Sequence, residues 1–112
     1  MNRQDILNSL INFDRPLPHI EHELSDFSWD VDFDLVTLKK RHIIDALTKY
    51  INEIVSSQEI EQWANLIEGR EDIKYEEGSE ETIKEAIFEL ANPTLVQPIS
   101  DSSAKEMIIR LA

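Results

Sequence analysis

Hydrophobic residues recur at helical spacing along most of the chain. The first group shares one helical face and consists of Ile6, Leu7, Leu10 and Ile11. Prolines at positions 16 and 18 disfavour helical backbone just before them, so this helix should end near Asp14. The next apolar group predicts a shorter second helix, with Ile20, Leu24 and Phe27 on its buried face.

The longest helical pattern lies in the middle of the chain. Residues 28–34 are interpreted as the connection that precedes it, and Thr37 is the predicted cap. Its apolar positions repeat at helical spacing and are Leu38, Ile44, Leu47, Ile51, Ile54 and Val55. We expect this segment to form the central helix of the fold.

A capping-box pattern opens the following helix. Ser56 and Glu59 stand three residues apart, which allows each side chain to bond the backbone N–H of the other. The helix should end at Gly69, since glycine readily adopts the left-handed conformation found just after many helices. Its predicted buried residues are Ile60, Trp63, Ala64 and Ile67.

The last part of the chain predicts one charged connection and two further helices. The connection, residues 70–77, is too short and too charged for a core helix, so a loop or a single helical turn is expected. Ser79 should cap a helix that Asn92 and Pro93 end. An extended linker over residues 93–99 then leads to a final helix after Ser100 or Ser103. The apolar positions of these two helices are Ile83, Ala86, Ile87, Leu90, Met107, Ile108 and Leu111.

Taken together, these elements predict an all-α protein, with residues 1–112 forming a single compact bundle-like domain of five or six helices. Apolar residues make up 41% of the chain and charged residues 30%, as in ordinary globular proteins. With no cysteine, stability must come from packing rather than disulfides. No apolar run reaches the length of a signal peptide or membrane span, so a cytoplasmic location is expected.

The net charge of the chain limits the classes of macromolecule that it is expected to bind. The chain has 23 acidic and 11 basic residues and a formal charge of −12. Nucleic acids and anionic membranes are recognised through cationic side chains, so both are disfavoured as partners. A basic protein partner would be attracted, although the same acidity could serve only to keep the protein dissolved. Self-association is left open.

Sequence motifs for metal binding or catalysis are weak. Residues 30, 32 and 34 are aspartates with the spacing of a calcium loop, but Leu35 and Arg41 stand where that loop requires glycine and glutamate. His19 and His22 match no metal signature, and His42 lies far along the chain. No nucleophile elbow or phosphate-binding loop is present. We therefore expect no catalytic activity, no metal and no cofactor.

An acidic segment around one tyrosine is the best candidate for a binding site. Aromatic side chains often supply the affinity of an interface, and surrounding carboxylates steer a cationic partner towards it. The alternative is that Tyr75 and Ile73 are half-buried packing residues beneath a loop. The predicted partner-binding residues are Asp72, Tyr75, Glu76, Glu77, Glu80 and Glu81.

The run from Asp72 to Gly78, followed by a serine cap, resembles the tyrosine-bearing acidic segment of the immunity proteins that neutralise colicin and pyocin nucleases. The resemblance covers about a third of the chain, mainly residues 56–90, and this chain has Lys74 and Tyr75 where that family has two tyrosines. It implies that Tyr75 anchors a toxin, with the neighbouring carboxylates beside it. In its general type, the chain is also similar to small acidic helical immunity proteins of contact-dependent inhibition systems.

Two main functional hypotheses follow. The first is an immunity protein that binds a cationic toxin domain, of the nuclease class, and blocks its activity. The second is a cytosolic adaptor or regulatory domain that binds a protein unrelated to toxins. A small enzyme is a third hypothesis, and it requires a defined pocket with perturbed titratable groups.

Overall fold

A computed structural model describes residues 2–27 and 36–112 of the chain. Within these residues there are six helices and two short strands, and the Cα radius of gyration of 13.3 Å is that of a compact fold. The predicted all-α, bundle-like architecture is confirmed, with a small sheet added. In chain order the elements are α1 (Arg3–Asn12), α2 (Leu17–Leu24), β1 (Val36–Leu38), α3 (Lys40–Ile51), α4 (Ser57–Ile67), β2 (Ile73–Tyr75), α5 (Glu80–Ala91) and α6 (Asp101–Leu111).

The N-terminal pair of helices follows the sequence pattern closely. The side chain of Asn2 caps α1 by accepting the N–H of Asp5 at 2.8 Å. Phe13 caps the C-terminal end of the helix with a left-handed φ of 50°, and the ammonium of Lys49 donates to the Phe13 carbonyl at 2.7 Å. Phe27, predicted to lie in the second helix, instead follows the end of α2 and packs partly buried against the core.

One tryptophan joins α4 to the C-terminal end of α1 in the core. The Trp63 side chain, on α4, is fully buried, and its indole N–H donates to the Leu10 carbonyl in α1 at 2.7 Å. Its ring stacks on the Phe13 ring, with centroids 6.0 Å apart. The ammonium of Lys49, on α3, lies 5.5 Å from the centroid of the Phe13 ring. Around this centre, α1 packs on α2, α3 on α6, and α4 on α5.

The predicted start of the central helix is wrong. Thr37 lies in strand β1, and α3 begins at Lys40, with Lys39 as the N-cap residue. Residues 36–38 pair with a second strand, and these hydrogen bonds stabilise their extended backbone. A helix that began at Thr37 could not make this pairing. The predicted length is also too great, because α3 ends at Ile51 and leaves Ile54 beyond it, 67% exposed.

The predicted loop or helical turn over residues 70–77 is also corrected. Ile73–Tyr75 forms strand β2, which runs parallel to β1. The paired residues are Val36 with Ile73, Thr37 with Lys74, and Leu38 with Tyr75. Neither three-residue strand is stable alone, so each depends on the other and on the helices that pack against the sheet.

The predicted ends of the later helices are largely confirmed. Ser56 and Glu59 form the reciprocal capping box, with bonds of 3.1 and 3.0 Å, and Gly69 follows α4 with a φ of +80°. Ser100 caps α6 through its side chain. Ser79 occupies the N-cap position of α5, but its side chain makes no capping hydrogen bond.

Candidate functional site

Two glycines bracket the segment that carries the candidate residues. Gly69 and Gly78 have φ values of +80° and +86°, a region that side chains with a Cβ rarely occupy. The first turns the chain out of α4 towards β2, and the second turns it from β2 into α5. As a result, β2 lies beside α5, and its first residue, Ile73, is buried.

Asp72 lies inside the protein and pairs with two arginines. Its side chain is completely buried, and both carboxylate oxygens accept hydrogen bonds from Arg70, at 2.9 and 3.0 Å. Arg3 donates to the same carboxylate at 3.0 Å, so the group links the start of α1 to the start of β2. Burial raises the pKa of Asp72, but the hydrogen bonds and charges of Arg70 and Arg3 outweigh it and hold the pKa below its usual value.

The glutamates predicted to bind a partner have different surroundings. Glu76 accepts the Lys40 N–H at 3.1 Å, so its carboxylate caps the N-terminus of α3 from another element. Glu80 accepts the Gly78 N–H at 2.9 Å and is exposed at the first turn of α5. Glu77 is exposed in the turn between β2 and α5.

Tyr75 and Glu81 meet at an open, mainly apolar groove of about 520 Å³ between β2 and α5. The structure therefore brings these two predicted residues together and places Asp72, Glu76, Glu77 and Glu80 outside the groove lining. Apolar side chains and acidic side chains both contribute to the lining, which consists of Glu68, Gly69, Arg70, Ile73, Tyr75, Glu81, Lys84, Glu85, Ile87 and Phe88.

Negative charge dominates the edge of this groove. Three glutamates line it, against Lys84 and an Arg70 guanidinium that already donates to a buried carboxylate. Burial, and then the charge of Glu68, raise the pKa of the Tyr75 hydroxyl, which stays protonated at neutral pH. This hydroxyl makes no hydrogen bond within the described residues, so it can donate to a bound group. The groove is thus suited to a side chain that combines a positive charge with an apolar stem.

Among the groove residues that the sequence did not single out are Glu68, Glu85 and Phe88. Phe88 carried a usable signal, because it falls outside the buried stripe of α5 formed by Ile83, Ala86, Ile87 and Leu90. A large aromatic residue off the buried stripe is expected to be exposed, and Phe88 is 46% exposed. Glu68 and Glu85 carried no such signal among so many acids.

Metal-ligating side chains do not cluster in the part of the chain that the structure describes. No group of three or more histidine, aspartate or glutamate side chains there could hold a metal ion. The aspartates at positions 30, 32 and 34 lie outside the described residues. In residues 2–27 and 36–112, every helix is too short or too polar to cross a lipid bilayer.

Comparisons with known proteins leave the groove as the main guide to function. No protein-family model matches the sequence, no curated protein is significantly similar to it, and no solved structure has a significantly similar fold.

Proposed function

We propose that the protein is an immunity protein, which binds a cationic toxin domain through the groove between β2 and α5 and blocks the toxin's activity. The observation that carries this proposal is the placement of Tyr75 in an apolar groove lined by three glutamates. The resemblance of the Asp72–Gly78 segment to nuclease immunity proteins suggests a nuclease as the toxin. No catalytic step is assigned to the protein.

The groove accounts for both the speed and the lifetime of such a complex. Glu68, Glu81 and Glu85, with the overall charge of −12, would accelerate association with a basic surface and make it sensitive to salt. Burial of Tyr75 and Phe88 against the partner would slow dissociation. The proposed binding site therefore keeps Tyr75 and Glu81 from the sequence prediction. Asp72 and Glu76 instead stabilise the fold, through hydrogen bonds with Arg70 and with the N-terminus of α3.

Co-expression with a toxin tests this function. The polypeptide encoded by the reading frame immediately upstream is produced in bacteria with and without the protein, and growth is measured. We expect that polypeptide to inhibit growth alone, and the protein to restore growth and form a stoichiometric complex. A complex without any effect on growth would favour the adaptor hypothesis, and the absence of both effects would remove the immunity proposal.

Two variants test whether the groove is the binding site. Tyr75→Ala should raise the dissociation rate about thirtyfold, the effect of losing an interface hot spot. Glu81→Lys should slow association and weaken its salt dependence. Glu106→Lys is the matched control, because Glu106 is exposed on α6, outside the groove, and the substitution changes the net charge equally. Equal effects of the two lysine variants would contradict a specific role for the groove.

A further inference from the structure

The outer edge of strand β2 has backbone groups that make no hydrogen bond within residues 2–27 and 36–112. In a parallel pair, alternate residues of a strand bond to the neighbouring strand. Leu38 is in register with Tyr75, and its carbonyl accepts the Glu76 N–H at 2.9 Å, so the peptide groups of residues 74 and 76 face β1. Those of Ile73 and Tyr75 face away from β1, and they form no hydrogen bond within the described residues.

This edge belongs to the same strand that forms one wall of the acidic groove. Ile73 and Tyr75 both contribute to the groove lining, and Phe88 of α5 lies on the opposite wall. Gly69 leaves room at the entry to β2, since a Cβ added there would meet no atom within 4 Å. The peptide groups of Tyr75, which is partly exposed, and of Ile73, which is 6% exposed, therefore lie beside the apolar surface of the groove.

We propose that the partner presents an extended, basic segment that pairs with the free edge of β2 as a third strand. The segment places a lysine or arginine side chain in the groove, where its aliphatic stem contacts Tyr75 and Phe88 and its charge faces Glu68, Glu81 and Glu85. This inference rests on the proposed function and specifies how the groove recognises its partner.

The charge and the free peptide groups together favour an extended occupant. A helix has its backbone groups bonded internally and offers none to the edge of a sheet. In a strand, successive side chains point to opposite faces, so every second residue of the segment would face the groove. The expected recognition motif therefore has basic side chains at alternate positions.

Amide NMR with a defined probe tests the pairing. The full-length protein, labelled with ¹⁵N, is titrated with an acetylated and amidated heptapeptide of alternating threonine and lysine. Amide hydrogens of Ile73 and Tyr75 should exchange about tenfold more slowly on binding, in line with new hydrogen bonds, while those of Lys74 and Glu76 change little. A control peptide that is N-methylated at every residue keeps its charge but lacks the backbone N–H donors of its residues, and it should bind about tenfold more weakly.

A change in the protein backbone provides a second measurement. Incorporation of the α-hydroxy analogue of tyrosine at position 75 replaces the peptide N–H with an ester oxygen and keeps the side chain. This protein should bind the threonine–lysine peptide several-fold more weakly than the all-amide protein, provided that circular dichroism shows the same fold.

The outcomes separate the two proposals. Absence of peptide binding, equal binding of the N-methylated peptide, or unchanged exchange at Ile73 and Tyr75 would each overturn strand pairing. If growth rescue in the co-expression experiment still depends on Tyr75 and Glu81, the immunity function stands and only the pairing of a third strand with β2 is excluded. Failure of growth rescue, in contrast, removes the proposed function whatever the peptides do.

Discussion

His42 should make the protein less stable in mildly acidic solution. Its ring is buried at the N-terminus of α3, and Nδ1 accepts the Lys39 N–H at 2.8 Å. That bond requires an unprotonated Nδ1, so protonation would place two N–H groups against each other. Burial, and then the positive charge of Arg41, lower the pKa of His42 to about 4, with Lys39 acting in the same direction and Asp45 and Glu76 opposing them.

The sign and size of the effect follow from linkage between protonation and folding. The unfolded chain binds this proton near its ordinary pKa of about 6.5, whereas the folded protein resists it until about pH 4. The free energy of unfolding should therefore fall as the pH drops through this window. The loss due to His42 is about 2 kcal/mol at pH 5 and about 3 kcal/mol at pH 4, and it is absent above about pH 7.

The variant His42→Gln isolates this contribution. Glutamine at the third helical position can still accept the N-cap N–H but does not titrate. Urea unfolding followed by circular dichroism, at pH 7.5 and pH 5, gives the change in the free energy of unfolding for each protein. The wild type should lose about 2 kcal/mol more than the variant, since all other ionisable groups are shared.

Two results would refute this reasoning. The first is an equal loss of stability in the wild type and the variant. The second is an NMR titration of the folded protein in which the ring protons of His42 respond near pH 6.5. Either result would mean that the buried acceptor geometry at Nδ1 does not control protonation.

Three further predictions concern stability, each measured by urea unfolding at pH 7.5. Ser56→Ala should cost about 1 kcal/mol, because it removes a capping bond, whereas Ser79→Ala should change stability by only a few tenths, since that side chain makes none. Asp72→Ala should cost about 3 to 5 kcal/mol, as it removes the buried carboxylate that accepts two bonds from Arg70. Trp63→Phe should cost about 1 to 3 kcal/mol through the lost indole bond and the smaller ring.

Equal effects of the two serine variants would show that the capping geometry at Ser56 contributes nothing measurable. A loss below about 1 kcal/mol for Asp72→Ala would place the carboxylate in a solvated rather than a buried ion pair. An unchanged stability for Trp63→Phe would mean that the Leu10 carbonyl does not depend on the indole N–H.

The helices and most of their ends were predictable because their signals are local. The capping box at Ser56 and Glu59, the left-handed Gly69 and the stop at Asn92 and Pro93 each depend on residues within about one helical turn of one another. Tyr75 could likewise be singled out from its acidic neighbours before the fold was known.

The small sheet and the groove depend on contacts that local signals do not carry. From local sequence Thr37 is predicted to be a helix cap, but in the structure it pairs with Lys74, 37 positions further along the chain. Similarly, only the packing of α5 beside β2 brings Glu68 and Phe88 to the side chain of Tyr75, while Asp72 turns inward to two arginines. Sequence by itself determined where most of the helices form, the start and length of α3 excepted, because capping and apolar periodicity act over a few residues. Tertiary structure alone decided which acidic residues face solvent, because that choice depends on neighbours distant along the chain.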